Sequence, residues 1–213
     1  MALTFRERCQ AAQRGDSAAY EATFAVYHDL VFRVAYRIVG DAHVAEDVLQ
    51  DTAAVALRAN TSFESAVPLR VWMLRTALNL ANRYVRQKRT HLALPADDVQ
   101  PVPDRHAGPE RELEAKEESA AVRLALGKLS EDDNAALALH AEDLARAAIA
   151  EILGCTTTAV GPRLFHARDR FHAALRRVDA DLAARFPRRL RRTSVGSEDG
   201  PVSPNPETRR QGE

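Results

Sequence analysis

Apolar residues recur along this chain at spacings of three and four, the repeat of an α-helix, and nowhere settle into the two-residue alternation of a strand. Alanine and leucine are abundant and glycine is sparse, so the pattern predicts a chain that is nearly all helix. Helical signals run from about Thr4 to Thr90, with breaks near Gly15, at Gly40 and Asp41, and from Thr61 to Pro68, which implies about four helices. Between Leu94 and Pro109 the stretch PADDVQPVPDRHAGP carries four prolines, which exclude a continuous helix and favour a flexible connection. Helical patterning returns at Glu110 and lasts to about Phe186; the polar run RRLRRTSVGSEDGPVSPNPETRRQGE follows, with no apolar face. The expected architecture is all-α: a helical domain over residues 5–90, a flexible linker over 91–109, a second helical domain over 110–180, and a tail over 181–213 that is first basic and then disordered.

Two faces in the first domain invite attention. On the segment from Asp41 to Asn60, Ala45, Val48, Leu49, Thr52, Val55 and Ala56 fall together at 100° per residue, while Asp47, Gln50, Asp51 and Arg58 line the opposite side. By itself an acidic stripe of this kind is most often a solvated face. The next helix opens at Pro68, where a missing N–H is harmless, and puts Leu74, Ala77, Leu78, Ala81, Tyr84 and Val85 on its apolar side. Its polar stripe holds Trp72, Arg75, Asn79, Asn82, Arg83 and Arg86. Arginines neutralise phosphates, asparagine amides pair with base edges, and an exposed aromatic stacks on an unpaired base. Core packing is the competing fate for Trp72.

The second domain reads as a helix-turn-helix. ARAAIAEILG is a helix with a glycine stop at Gly154, and Thr156 is a natural cap for the next helix. In that helix Val160, Leu164, Ala167 and Phe171 form a stripe to be buried, beside a basic stripe of Arg163, His166, Arg170 and Arg177. From Thr156 to Arg192 ten arginines face three aspartates, a local charge of +7.

Composition narrows the chemistry. The chain has 213 residues, 46% of them apolar, and its 30 basic and 30 acidic residues cancel, which argues against indiscriminate nucleic-acid binding. MALTFRERCQ has charges where a signal peptide needs an apolar core, and no stretch approaches the roughly 20 apolar residues of a membrane span, so a cytoplasmic protein without membrane insertion is expected. Cys9 and Cys155 are far apart and lack the paired spacing of a zinc site, which predicts neither disulfide nor metal. No glycine loop cradles a phosphate, so no nucleotide cofactor is expected. His140 with Glu142, or Asp132 with Asp133, lack a third partner at useful spacing and are expected to be exposed surface. These absences point to a binding protein that catalyses nothing.

RGDSAAYEATFAVYHDLVFRVAYRIVGDAHVAEDVLQDT followed by PLRVWMLRTALNLANRYVRQKR resembles region two of the extracytoplasmic-function (ECF) group of sigma-70-family sigma factors. The resemblance covers about 85 residues and rests on Gly15-Asp16, Ala45-Glu46-Asp47, Gln50, Trp72, Ala77 and Asn79 in order. Residues 110–178 are similar to region four of the same group, through Leu129, Leu137, Leu139, Ile149-Ala150-Glu151, Leu153-Gly154, Val160, Arg163-Leu164, Ala167-Arg168 and Arg170. The resemblance implies core RNA polymerase and promoter DNA as partners, with an anti-sigma factor as a candidate third. It makes Asp47, Gln50 and Asp51 the polymerase-facing residues, and Trp72, Arg75, Asn79, Arg83 and Arg86 the set that captures the minus-ten element. Thr157, Thr158, Arg163, His166 and Arg170 would meet the minus-thirty-five element as duplex.

The chain departs from the family's pattern at Ala53 and Leu57, where aromatics are common, at Arg83 in place of an acid, at His166 in place of an arginine, and at Gly161-Pro162 in place of a lysine and a serine. A proline in the sixth position of a helix costs roughly 3 kcal/mol, which predicts that the recognition helix begins only at Pro162 and withdraws Thr157 and Thr158. A promoter-selecting sigma subunit is the leading reading. A polymerase-independent helix-turn-helix dimer, and a sigma-like interaction protein with weakened or lost minus-thirty-five recognition, stand beside it.

Overall fold

The computed structural model describes residues 4–58, 63, 65–91 and 109–185. Most of the linker (92–108) and most of the tail (186–213), with the disorder expected there, lie outside the described residues. Among the described residues there is no strand, and no helix is long and apolar enough to cross a membrane.

Local chemistry sets the helix ends. Helix α1 (Phe5–Gln13) starts with a capping box in which Thr4 and Glu7 satisfy each other's backbone N–H groups. Asp16 caps α2 (Ser17–Thr23) by accepting from the Ala19 N–H. A single 3-10 turn (Ala25–Tyr27) then leads into α3 (His28–Val39), which ends on left-handed Gly40 (φ 70°). The Asp41 carboxylate takes the backbone N–H groups of His43 and Val44 and so starts α4 (Ala42–Arg58). Helix α5 (Ala66–His91) begins two residues before Pro68, still within the first turn, where a backbone N–H has no intrahelical partner. Helices α6 (Pro109–Leu126), α7 (Glu131–His140), α8 (Arg146–Leu153), α9 (Thr157–Val178) and α10 (Ala180–Arg185) complete the order. Ser130 caps α7, and Gly154 ends α8 at φ 67°.

Helix α3 packs on α4 and α5, with α1 and α2 closing the far side, around fully buried Phe24, Val31, Val34, Leu69, Met73 and Leu74. Helix α9 is the spine of the second unit and touches α6, α7, α8 and α10. Ala121, Ala125, Leu175 and Leu182 form a small separate core under α10. The two units also pack on each other, α5 against α8 and α3 against α7, and one cluster of buried residues runs from Cys9 to Leu164.

Three expectations are corrected. Val55 is not core: it is 38% exposed, while Ala53 is buried in its place, because the inner stripe of α4 drifts round the helix. The recognition helix does not restart at Pro162; α9 is continuous from Thr157, with Pro162 inside it and Thr156 as its cap residue. Burying Val160 and Leu164 on either side of the proline is worth about 1.5–3 kcal/mol each, enough to offset roughly 3 kcal/mol for the lost hydrogen bond and the crowding. Asp133 is buried and His140 and Glu142 are half-buried, against the expectation of exposed surface, while Asp132 is exposed as expected.

Pro162 is exposed, so its replacement disturbs no core. Pro162→Ala restores a donor for the Thr158 carbonyl and should raise stability by about 1–3 kcal/mol, seen as a higher midpoint in thermal or urea unfolding.

Candidate nucleic-acid interface

On α4 the buried side is Val44, Ala45, Val48, Leu49, Thr52, Ala53 and Ala56. The opposite side presents Glu46, Asp47, Gln50 and Asp51, all exposed. Gln50 donates to Glu46 Oε1 at 3.5 Å, and no ion pair among the described residues takes up Asp47 or Asp51. The result is an acidic stripe on a rigid helix, suited to a basic or amide-rich partner surface.

Helix α5 keeps its outer stripe, though its residues have different fates. Asn79 and Arg83 are exposed. Trp72 is half-buried, with its ring edge-on to Phe63 at 5.6 Å between centroids, so the core claims much of it. Arg75 reaches the second unit: Nε donates to the Ile152 carbonyl at 3.0 Å, and an Nη donates to the Glu151 carbonyl. Arg86 pairs with Glu131 at 2.6 Å.

On α9, Thr157 and Thr158 are exposed at the N-terminal end of the continuous helix, the second helix of the helix-turn-helix. The basic stripe sits to one side. Arg163 pairs with Asp132 at 2.8 Å, and Arg170 bonds to Asp133, whose carboxylate is nearly buried. At 100° per residue, Thr158, Pro162, Phe165 and His166 face directly away from the buried stripe. Phe165 is 60% exposed and edge-on to His166. Sequence reasoning passed over it, although an apolar residue outside the stripe of Val160, Leu164 and Ala167 was the available signal.

Glu142, in the turn after α7, was also missed as a contact. Its side chain is only 5% exposed and accepts from Arg33 Nε at 2.6 Å and Arg37 Nε at 2.9 Å, both on α3. The next residue, Asp143, takes a left-handed φ of 53°, a conformation that aspartate tolerates better than most side chains. Nearby, burial and then Arg168 hold His140 below its ordinary value of 6.5, against the pull of Asp143. An open groove of about 1110 Å³ runs between α3, α6, α7 and α9. Its lining is mostly apolar, with Phe32, Tyr36, Leu137 and Phe171 joined by Arg123 and Arg168. No group of three or more His, Cys, Asp or Glu that could hold a metal ion occurs among the described residues.

Two helical units, one with an acidic stripe and a cationic helix face, the other with a helix-turn-helix, define a DNA-handling transcription protein. Residues 23–91 match the model of sigma-70 region 2, and residues 119–171 match that of sigma-70 region 4. The chain is 31% identical over 172 residues to the RNA polymerase sigma-H factor of Pseudomonas aeruginosa, covering 76% of this chain and 89% of that one. It is 30% identical over 157 residues to the ECF RNA polymerase sigma factor SigM of Mycobacterium tuberculosis, covering 73% and 76%. Among solved structures, that of CnrH in complex with the cytosolic domain of CnrY superposes with a TM-score of 0.57 at 25% identity, over 83% of this chain and 97% of that one. The chain belongs to the sigma-70 family of RNA polymerase sigma factors, in the ECF group. As such it binds core polymerase, directs initiation at promoters, and is not an enzyme. With both regions matched in order, neither the polymerase-independent dimer nor the sigma-like protein without promoter recognition is favoured.

Burial raises the cost of charging Glu142, but the hydrogen bonds from Arg33 and Arg37 outweigh it and hold the carboxyl below its ordinary value of 4.5. A native value lowered in this way stabilises the fold fully above the ordinary value and is lost as pH falls through the lower native one. Thermal unfolding followed between about pH 7 and pH 3 should therefore show a stability loss below about pH 4.5 that Glu142→Gln reduces.

Proposed function

We propose that this sigma factor engages core polymerase through Asp47, Gln50 and Asp51, grips the minus-ten element with Arg75, Asn79, Arg83 and Arg86 beside Trp72, and reads the minus-thirty-five duplex from the α9 face carrying Thr157, Thr158 and His166. Arg163 and Arg170 stand at the edge of that duplex contact. The observation that carries this is the division of exposed charge: acidic side chains on α4, cations and amides on α5, and an exposed helix tip on α9. Phosphate contacts from the arginines supply affinity, while Asn79 and the α9 tip can discriminate bases. The functional units are residues 5–90 and 110–180, joined by 91–109, and the protein acts in the cytoplasm, where polymerase and promoter meet. An anti-sigma factor belongs to this reading too: the groove between the units, apolar and lined with arginines, suits an acidic amphipathic helix.

Co-elution with core polymerase, followed by mapping of transcription starts on genomic DNA, tests the whole reading. Asp47→Lys with Asp51→Lys should weaken co-elution about tenfold or more without loss of helicity, since like charge would then face the docking surface. Asn79→Ala should leave co-elution intact and lower initiation at mapped promoters by about tenfold, the worth of one good base contact. Co-elution unaffected by the α4 reversal would refute the docking assignment.

A further inference from the structure

The groove between α3, α6, α7 and α9 carries positive charge that the chain itself does not answer. Four arginines line it: Arg33, Arg37, Arg123 and Arg168. Glu142 takes both Arg33 and Arg37. Among the described residues no ion pair takes Arg123 or Arg168. Glu118, the only carboxylate on the lining, is already bound to Arg185.

Arg168 is half-buried on α9, and burial pushes its guanidinium below the ordinary value with no anion opposing the effect. A guanidinium keeps its proton all the same, so the cost of its desolvation falls when an acceptor enters the groove. His140 lies near enough to feel the Arg168 charge; burial and that charge keep its imidazole neutral near pH 7, a form that still donates one N–H. Arg123 is seated by a different device. Gly40 ends α3, and a Cβ there would collide with the Arg123 side-chain stem, so glycine lets the stem cross the helix end.

The rest of the lining is mainly apolar. Phe32, Tyr36, Val122, Leu137 and Phe171 wall a space of about 1110 Å³, just above the roughly 300–1,000 Å³ usual for small-molecule sites. Phe32 and Tyr36 stack with 6.1 Å between centroids, which makes one wall a continuous apolar surface. Uncharged polar groups are few there: Ser119, Asn134 and the Tyr36 phenol. The base and ribose of a nucleotide would give up more hydrogen bonds to water than these can replace. An acyl chain gives up none and gains with every CH₂ it buries.

We propose that this groove is a binding site for a single-chain anionic amphiphile. Its acyl chain lies along Phe32, Tyr36, Leu137 and Phe171, and its carboxylate or phosphate head is taken by Arg168, with Arg123 as the second cation. The site depends on none of the promoter or polymerase assignments. It shares its groove with the acidic helix proposed above for an anti-sigma factor, so the two occupants exclude each other.

The test is isothermal titration calorimetry of the full chain with probes of one chain length and different heads, each below its micelle concentration. Dodecanoate and dodecyl phosphate separate the two head groups, and binding of either one at one site per chain is the expected result. Dodecanol and dodecyltrimethylammonium, which lack the negative charge, and butyrate, which lacks the chain, should bind at least tenfold more weakly. Arg168→Gln should weaken binding of the anionic probe about tenfold or more, the worth of one hydrogen bond to a charged group, at unchanged helicity. Arg123→Gln should weaken it in the same direction, which keeps the idea testable if Arg168→Gln folds poorly. Ser119→Trp, which fills the groove and leaves both arginines in place, should abolish binding. No binding of either anion, equal binding of the uncharged or cationic probe, or an affinity that neither arginine variant changes overturns the site.

Discussion

Helix α3 is buried from more than one direction, and the rest of the molecule is arranged around that constraint. Val31, Val34, Ala35 and Ile38 face the core formed with α4 and α5, and removing them from water fixes where the acidic stripe of α4 and the cationic stripe of α5 can point. The same helix carries Arg33 and Arg37, both largely exposed, which supply the partners that the buried Glu142 carboxylate needs across the boundary with α7. One helix therefore builds the first unit and sets where the second rests on it.

Charge is managed in the same economical way. A chain with equal numbers of acids and bases still holds a +7 stretch around α9, and much of that excess is absorbed at home: Arg163 by Asp132, Arg170 by Asp133, Arg185 by Glu118. The outward tip of α9 is left with threonines, a proline, a phenylalanine and a histidine rather than a row of arginines. Under the proposed reading, such a surface would contribute shape and methyl contacts to duplex recognition and leave less of the affinity to phosphates. The flanking arginines adjust the position of α9 on α7 as much as they face solvent.

Pro162 shows how tertiary packing overrides a local rule. Taken alone, a proline in that position argues for a break, and propensity makes the break worth about 3 kcal/mol. Helix α9 stays whole because its buried stripe extends across the proline on both sides, so a break would expose side chains whose burial is worth more. Continuity in turn keeps Thr157 and Thr158 at the helix tip.

The all-helical class, the breaks near Gly15 and at Gly40, most of the buried stripes of α4, α5 and α9, and the Gly154 stop were legible in the sequence, because each depends on residues within a few turns of one another, where a periodicity of 3.6 and the φ preference of glycine are decisive; the 3-10 turn over Ala25–Tyr27, which no glycine or proline marks, was not. The same locality put Asp47, Gln50, Asp51, Asn79 and Arg83 on exposed faces correctly. What could not be read was anything that needs two distant segments to meet. Glu142 lies 109 residues from Arg33, Arg75 lies 76 from Glu151, and a polar residue awaiting such a partner looks in sequence like any solvated one. The partnership exists only once α3 and α5 have been packed against α7 and α8, and that packing is driven by non-directional burial that leaves no local pattern to read.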